Sequence, residues 1–218
     1  VGRAIPNLIK LFSHHLSTIE GGMLVTDNRE LADVARCLRA HGWTRDLPLS
    51  SHLRMMATSN EYDFKDGYQF VLPGYNLRPT EIAAALGLVQ LRKLVAMNNL
   101  RRSNAREFSR RFSFDSRVTI QEEQSLAAPF GFTIVMKDQA TRARAFEAMD
   151  AAGIEYRLIT GGCFTAHPVA WGRHYNYMLA DGLPHARRAH ACGFFVGNHP
   201  VDLTREIHLL HSALEGIN

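Results

Sequence analysis

Two adjacent histidines, His14 and His15, lie six and five residues before Glu20, which is followed by two glycines. An imidazole can take up or release a proton close to neutral pH, so a histidine held against a substrate can act as a general acid or base. Histidine pairs are, however, most often ordinary polar loop residues. The pair alone therefore indicates a candidate for proton transfer and leaves the loop interpretation open.

The composition limits the classes of function. Hydrophobic residues make up 46% and charged residues 21% of the 218 residues, as in typical globular proteins. No apolar run reaches the roughly 18–20 residues of a membrane span. The three cysteines are widely spaced and form no CxxC pair, which argues against a disulfide framework and a cysteine-built metal site. We therefore expect a protein of the reducing cytoplasm, with no metal and no membrane partner.

The charge is mildly basic, with a formal net charge of +4 and a pI near 9.2. The basic residues are scattered along the chain apart from short pairs such as Arg101-Arg102 and Arg110-Arg111. This pattern is only a weak signal for nucleic acid, and it suits a small anionic substrate equally well. We expect no nucleic-acid partner.

The first third of the chain predicts a strand followed by a helix. Residues 23–26 form a short apolar run after a glycine pair, and Asp27 with Glu30 has the spacing of a capping box. Apolar residues then recur at helical spacing over 31–38, up to Gly42. The pattern predicts an amphipathic helix that ends near that glycine.

The stretch over 43–75 is rich in aromatic residues and has no clear periodicity. A structureless stretch of this length usually belongs to a site or an interface. Pro79 suits the first turn of a helix, and residues 80–94 carry apolar side chains on two faces, as in a helix that is covered on both sides. The many charged and polar residues over 97–112 indicate a second helix that is exposed to solvent.

From about residue 113 the pattern changes to mixed strands and helices, which predicts a separate α+β unit. We expect strands over 130–136, 153–159 and 194–196, and helices over 140–152, 185–192 and 203–214.

Three segments carry a resemblance to one enzyme family: SHHLSTIEGGMLVTDN (13–28), RAHGWTRD (39–46) and LPGYNLRPTEIAAALGLVQLRKL (72–94). The third is the most specific, because a GYNxR turn precedes a helix with the pattern A-A-x-G-x-x-Q-L. Together they resemble the DegT/DnrJ/EryC1/StrS aminotransferases, which use pyridoxal phosphate (PLP). The resemblance continues through GIEYRLITGG (153–162) and FFVGNHP (194–200) and covers nearly the whole chain from residue 11.

The resemblance implies an α/β protein of fold type I among PLP-dependent transferases, similar to aspartate aminotransferase. Residues 1–96 would form the C-terminal part of the PLP-binding large domain, including a dimer-interface segment, and residues 97–218 the α+β small domain. In the family, the preceding half holds the phosphate-binding turn, the aromatic ring stacked on PLP and the acid that pairs with the pyridinium nitrogen. We therefore expect an incomplete large domain, and as partner a second copy in a homodimer or a complementing N-terminal half.

By the resemblance, His14 takes the place of the lysine that binds PLP covalently in the aminotransferases, and Lys10, the nearest amine, lies four residues too early. Histidine at this position resembles a subgroup of 3-dehydratases of dideoxysugar synthesis, lyases that use the aminated cofactor (PMP). One type in this subgroup binds an iron–sulfur cluster through cysteines in a loop that here, over 43–75, has none. The resemblance therefore implies loss of water at C3 of a nucleotide-linked, GDP-linked 4-keto-6-deoxyhexose in O-antigen synthesis, with glutamate as amino donor.

The resemblance also assigns the remaining site residues. Ser13 and Asn76 are expected to bind the cofactor, with Asn76 reaching the PLP phosphate of a partner subunit. His41, Arg45 and Arg78 are expected to bind the substrates. The plainer interpretations are that His41 is a cation at a helix C-terminus, that Arg45 is a solvated surface residue and that the GYN segment is only a turn.

Two other functions remain open at this stage. The chain could be a nucleotide-sugar aminotransferase whose lysine lies elsewhere, but no lysine occurs between residues 11 and 64. It could also be a non-catalytic remnant that keeps an interaction surface. Ile9 stands where the family has a phosphate-binding serine, five residues before the lysine position. We therefore expect the chain by itself to be inactive.

Overall fold

The computed structural model describes residues 8–9, 15–57, 68–122, 126–167 and 182–217. It divides into an N-terminal unit, Val1–Leu94, and a C-terminal unit, Val95–Asn218. Within the described ranges, no helix combines the length and the apolar character that crossing a membrane requires. Each unit has its own helices and strands.

The N-terminal unit begins with a pair of short antiparallel strands, β1 (Leu8–Ile9) and β2 (Met23–Leu24). Helix α1 spans Arg29–Arg39 and buries Cys37. The strand and helix predicted for this region are present, although the strand is shorter than the 23–26 that the apolar run indicated.

The helix cap differs from the predicted one by one residue. Asn28, not Asp27, is the N-cap, and its side-chain oxygen accepts a hydrogen bond from the Leu31 backbone N–H at 3.1 Å. The Asn28 backbone N–H in turn donates to the Thr26 hydroxyl at 3.1 Å. The predicted capping box of Asp27 with Glu30 is therefore wrong. Asn28 takes the N-cap position instead and accepts the hydrogen bond of an N–H group in the first turn, that of Leu31.

A short helix, α2 (His52–Ala57), lies in the stretch that was expected to be structureless. The Arg54 guanidinium is buried and donates to the Leu47 carbonyl at 2.8 Å, which fastens the helix to the turn before it. Residues 58–67 of the same stretch lie outside the described part of the chain. The expectation of an entirely irregular 43–75 is thus wrong.

Helix α3 is a single element of 32 residues, Glu81–Phe112. The sequence predicted two helices, but no glycine or proline separates 80–94 from 97–112, so the hydrogen-bonded ladder continues. Its second half is not simply exposed, because it buries several side chains in the C-terminal unit: Arg101, Asn104, Ala105, Phe108 and Phe112. Apolar residues recur there at helical spacing, and most of the charged residues lie on the outer face, with Arg101 the buried exception among those described.

The C-terminal unit is built on a four-stranded antiparallel sheet in the order β3-β4-β6-β5. Its strands are β3 (Val118–Ile120), β4 (Gly131–Met136), β5 (Arg157–Leu158) and β6 (Gly193–Gly197). The strands expected over 130–136 and 194–196 are confirmed. The one expected over 153–159 is limited to two residues, and β3 was not predicted.

Helices α4 (Gln139–Ala151), α5 (Pro184–Cys192) and α6 (Thr204–Glu215) complete the unit, close to the predicted bounds. In β4, alternate residues are buried, as expected for a strand with one face on a core. The buried core draws on β4, β6, α3, α4 and α6: Ala105, Phe108, Phe112, Phe132, Ile134, Met136, Ala145, Met149, Phe194, Val196, Ile207, Leu210, Leu214 and Ile217.

A buried polar network fixes the end of β6. The Asn104 side-chain amide donates to Asn198 Oδ1 at 3.0 Å and to the Val201 carbonyl at 2.8 Å. The Asn198 amide donates to the carbonyls of Arg101 and Pro129 at 3.0 and 2.8 Å. Because buried amides are costly unless they are hydrogen-bonded, the asparagine of the FFVGNHP segment has a structural role.

Candidate functional site

The turn that follows the histidine pair is fixed against helix α3. Thr18 is buried, and a Cβ placed on Gly87 of α3 would lie 3.3 Å from the Thr18 methyl carbon. Ile19 has a positive φ of 72°, which is strained for a β-branched residue. His14 and Ser13, the expected catalytic and cofactor-binding residues, lie outside the described residues.

The end of helix α1 turns sharply at His41 and Gly42, both of which have positive φ, 63° and 86°. The Gly42 backbone N–H donates to the Cys37 carbonyl at 2.8 Å, which closes the helix. The predicted substrate-binding residue His41 therefore lies in a left-handed turn that its own side chain does not favour. A backbone outlier of this kind is frequent at functional sites.

The GYN segment packs directly on this turn. The His41 backbone N–H donates to the Tyr75 carbonyl at 2.8 Å, and the Tyr75 N–H donates to the Leu38 carbonyl at 2.7 Å. Asn76 pairs with Ala40 through an antiparallel bridge. The two motifs RAHGW and GYN, thirty residues apart in the sequence, are thus held together by main-chain hydrogen bonds.

Gly74 makes this contact possible. A Cβ at Gly74 would lie 2.1 Å from the Gly42 nitrogen and 2.3 Å from the His41 carbonyl carbon. A Cβ at Gly42 would lie 1.6 Å from the Leu72 carbonyl oxygen. Both glycines are therefore required by the close approach of two backbones.

The Trp43 ring is the centre of the site. The His41 ring lies 5.3 Å from it in an edge-to-face arrangement, and the Tyr68 and Phe70 rings lie 6.2 Å away. The guanidinium carbon of Arg45 lies 5.3 Å, and that of Arg78 5.9 Å, from the centre of the Trp43 ring. These distances are within the range of cation–π contacts.

His41, Arg45 and Arg78 are the residues that the family resemblance assigned to substrate binding. All three lie around the Trp43 ring, a residue that was not predicted to belong to the site. The sequence signal for Trp43 was the aromatic content of 43–75, which had indicated a site or an interface. Asn76, the expected cofactor ligand, has an exposed side chain two residues before Arg78.

The donors of this cluster fit an anionic ligand. Arg45 and Arg78 carry fixed positive charges with planar donors that suit phosphate or carboxylate. The Trp43 indole N–H is buried, and it meets no hydrogen-bond acceptor in the part of the chain that is described. Exposed rings beside two guanidiniums can also hold a flat ring system. A ligand that carries a phosphate or carboxylate group matches this donor set.

The mixed helix-and-sheet fold is that of the aminotransferase-like proteins of fold type I. The chain belongs to the DegT/DnrJ/EryC1/StrS aminotransferase family, whose model matches residues 11–206. The family resemblance that the three sequence segments carried is therefore confirmed.

Several 3-dehydratases are similar to this chain. The chain is 38% identical over 206 residues to the GDP-4-keto-6-deoxy-D-mannose 3-dehydratase of Yersinia pseudotuberculosis, a match that covers 94% of this chain and 52% of the relative. The structure of the Escherichia coli GDP-4-keto-6-deoxy-D-mannose-3-dehydratase with bound hydrated PLP has 36% sequence identity and a TM-score of 0.83. That match covers 94% of this chain and 52% of the other.

A further structure of GDP-4-keto-6-deoxymannose-3-dehydratase contains a trapped PLP-glutamate geminal diamine. It has 35% identity and a TM-score of 0.82, and the match covers 92% of this chain and 52% of that chain. These similarities confirm the fold-type I class. The chain spans about half the length of the relatives that it matches.

Proposed function

We propose that this chain forms part of a PLP-dependent 3-dehydratase, which removes the C3 hydroxyl of a GDP-linked 4-keto-6-deoxyhexose in the synthesis of a lipopolysaccharide sugar. The observation that carries the proposal is the histidine at position 14 in a chain that is 38% identical to a 3-dehydratase over 206 residues. The family's aminotransferases are expected to have lysine there. A neutral imidazole cannot bind PLP covalently, but it can move a proton.

The residues of the site are suited to different tasks. When bound, the cofactor in its aminated form supplies the electron sink through which the C3 hydroxyl leaves the 4-keto sugar. We assign to His14 the transfer of the proton at the cofactor's C4′ carbon, as a general base. Ser13 and Asn76 would hold the cofactor phosphate through a hydroxyl and an amide donor.

The Trp43 cluster, that is Trp43 with His41, Arg45 and Arg78 around its ring, would bind the substrates. Arg45 and Arg78 can pair with the diphosphate of the nucleotide sugar or with the carboxylates of glutamate, because a guanidinium binds such groups through two parallel hydrogen bonds. His41, which touches the same ring, would orient the sugar. Glutamate is the proposed amino donor, consistent with the PLP-glutamate adduct in the related 3-dehydratase.

The proposed context follows from the family. Residues 1–96 would belong to the PLP-binding large domain and residues 97–218 to the small domain of an enzyme of the cytoplasm. The chain spans only half of its relatives, so we propose that activity requires the remaining half of the fold. We expect a homodimer, or a complex with a complementing half.

The test restores the missing part of the fold. The chain is fused to, or co-expressed with, the half of the Yersinia pseudotuberculosis relative that it does not match. The complex is then supplied with PLP, glutamate and GDP-4-keto-6-deoxymannose. We expect 2-oxoglutarate, ammonia and a 3-deoxy sugar, measured by mass spectrometry and coupled assays, with no stable amino sugar.

Two variants of one residue test its role. His14→Asn should lower the rate of elimination by on the order of 10²–10⁴-fold, because asparagine cannot take up the proton. His14→Lys should let an amino sugar accumulate, since an amine can release it from the cofactor. His15→Asn, the same change one residue on, is the matched control and should keep the wild-type rate.

The outcomes separate the three functions. A wild-type complex that yields a 4-amino sugar would identify an aminotransferase and contradict the dehydratase proposal. A complex that forms but converts neither glutamate nor the sugar would identify a non-catalytic remnant.

A further inference from the structure

Positive charge is concentrated on helix α3 where the helix belongs to the C-terminal unit. Over residues 95–112 the sequence has five arginines and a single acidic residue, Glu107. Residues advance by about 100° and 1.5 Å along a helix. Arg102, Arg106 and Arg110 therefore fall within about 80° of arc and follow one another at about 6 Å along the axis. We call these three residues the arginine stripe.

Two guanidiniums of the arginine stripe face no carboxylate in the described part of the chain. Arg102 Nε donates to the Leu126 carbonyl at 3.0 Å, and its Nη1 donates to Asn99 Oδ1 at 3.5 Å. Both acceptors are neutral, so they orient the Arg102 side chain without cancelling its charge. Arg106 is exposed and forms no hydrogen bond or ion pair within the described ranges.

The third guanidinium is only partly neutralised. Arg110 pairs with Glu107 at 2.7 Å. The same carboxylate also contacts Arg111 and His208, each at 3.0 Å. One negative charge is thus shared between several cationic or polar partners. The stripe has a net positive charge, with both ends held in place and the centre free to bind.

A groove with a volume of about 430 Å³ adjoins the arginine stripe. One wall is the stripe itself, with Ser109 and Ser113 between the arginines, and the other wall includes Leu126 and Ala127. Leu126 is 85% exposed. The groove therefore combines a row of cations on one side with apolar side chains on the other.

We propose that this groove binds an extended acidic peptide segment of a partner protein, with carboxylates at alternate positions. Alternate residues of an extended chain lie on one side at a spacing of about 6.7 Å, close to the spacing of the stripe. Three successive carboxylates can therefore each meet one guanidinium through charge-assisted hydrogen bonds. Side chains on the other side of the peptide would contact Leu126 and Ala127.

The lining favours a peptide over a single-stranded nucleic acid, which is also a polyanion. Proteins that bind single strands stack the bases on aromatic side chains. Among the described residues that line the groove, none is aromatic. Serine hydroxyls and small apolar side chains, which the groove does have, suit a peptide main chain and its side chains.

The groove plays no part in the proposed reaction, so its test needs neither cofactor nor substrate. The whole 218-residue chain is titrated into a fluorescein-labelled peptide of sequence ELESELE, and binding is followed by fluorescence anisotropy. The control peptide EEEELLS has the same composition and charge, but its glutamates are consecutive. It places fewer carboxylates on one side of an extended chain and should bind at least threefold more weakly.

We expect saturable binding that weakens at least tenfold when NaCl is raised from about 0.05 to 0.5 M. Arg106→Glu should weaken it at least tenfold, because the change replaces attraction by repulsion, whereas Arg106→Lys should cost less than about threefold. Arg205→Glu makes the same change at an exposed arginine of α6. It is the matched control and should leave the affinity unchanged.

A measurement on the wild-type chain needs no variant. Phenylglyoxal modifies accessible arginines, and mass spectrometry locates the modified residues. Addition of the peptide ELESELE should slow the modification of Arg106 at least threefold and leave that of Arg205 unchanged.

Four results would overturn the proposal. The first is an absence of saturable binding, and the second is an Arg106→Glu variant that binds the peptide as well as the Arg205→Glu variant does. The third is equal affinity for the two peptides, which would show a merely diffuse attraction of charges. The fourth is tighter binding of an oligothymidylate with the same number of charges, which would identify a surface for single-stranded nucleic acid.

Discussion

At the scale of single residues, the site is organised by a close approach of two backbones. His41 and Gly42 form a left-handed turn, and Gly74 lies against it with no room for a side chain. The hydrogen bonds between His41, Tyr75 and Leu38 then hold the two motifs in register. The Trp43 cluster depends on this arrangement, because Trp43 follows the turn directly and Arg78 follows the GYN segment.

Gly74→Ala should therefore disrupt the site through the backbone. The new methyl group would overlap main-chain atoms of His41 and Gly42, which cannot rotate away as a side chain could. Overpacking of this kind costs about 1–3 kcal/mol, and we expect a loss of that size from the free energy of unfolding in urea.

Gly216→Ala is the control for this substitution, since a Cβ at Gly216 meets nothing within 4 Å. It should change the free energy of unfolding by less than about 0.5 kcal/mol. Equal effects of the two substitutions would show that the close contact between the motifs is not formed in solution.

From the sequence, it was possible to predict which residues belong to the site but not how they are arranged in space. His41, Arg45 and Arg78 could be named because they occur in segments that resemble a family. The sequence did not predict that these three side chains surround the Trp43 ring. Their contact depends on the left-handed backbone of His41, a conformation that is routine for glycine alone. The catalytic role of His14 stays a prediction, because His14 lies outside the described residues.

At the scale of elements, helix α3 carries an ion cluster in its second half. Glu107 accepts hydrogen bonds from Arg110 at 2.7 Å and from Arg111 and His208 at 3.0 Å. The Arg111 guanidinium also contacts His208 Nδ1 at 3.0 Å, so the histidine proton lies on Nε2, facing the carboxylate. The hydrogen bond from Arg110 chiefly lowers the pKa of Glu107 from 4.5 to about 2. This group of ion pairs around Glu107 connects helix α3 to helix α6, which carries His208, within the C-terminal unit.

This shift predicts how stability depends on acid. The carboxylate has a lower pKa in the folded state, so its stabilising effect is complete above pH 4.5 and is lost as the pH falls towards 2. Glu107→Gln should therefore flatten the fall in unfolding free energy between pH 4.5 and 2, measured by urea denaturation at several pH values. Because the Arg110 side chain is largely exposed, 1 M NaCl should reduce the difference between variant and wild type. Identical pH profiles for the two proteins would contradict the prediction.

Some helices and strands were predicted correctly from the sequence and others were not, for physical reasons. Helices α4 and α6 and strand β4 were found because one face of each packs on the core, which leaves a period in the sequence. Strand β3, with three residues, is too short to show a period, and the strand predicted over 153–159 is limited to the two residues of β5. Helix α3 was divided in two because its apolar pattern changes where the helix passes from one unit to the next, although its backbone continues.

At the scale of the whole molecule, the described residues of the two units differ in how many apolar side chains they bury. The C-terminal unit has a continuous core around the stacked rings of Phe108, Phe112 and Phe132, whose neighbouring centres lie 4.5–4.6 Å apart. The described part of the N-terminal unit buries few apolar side chains and exposes many. Among the described residues, the larger core therefore lies in the C-terminal unit, and most of the exposed large apolar side chains lie in the N-terminal unit.

This difference should divide helix α3 into two halves of unequal stability. Residues 101–112 are anchored by five buried side chains, whereas no residue of the described helix before Arg101 is buried. The half before Arg101 contacts its own unit at Gly87 but buries no side chain fully. A helix with little tertiary packing is only marginally stable in water, and amide exchange reports such local openings. In the chain alone, we expect the amides of 101–112 and of strands β4 and β6 to exchange slowest, and those of 82–94 at least tenfold faster. Hydrogen exchange measured by mass spectrometry at neutral pH tests this, and uniform protection along α3 would contradict the prediction.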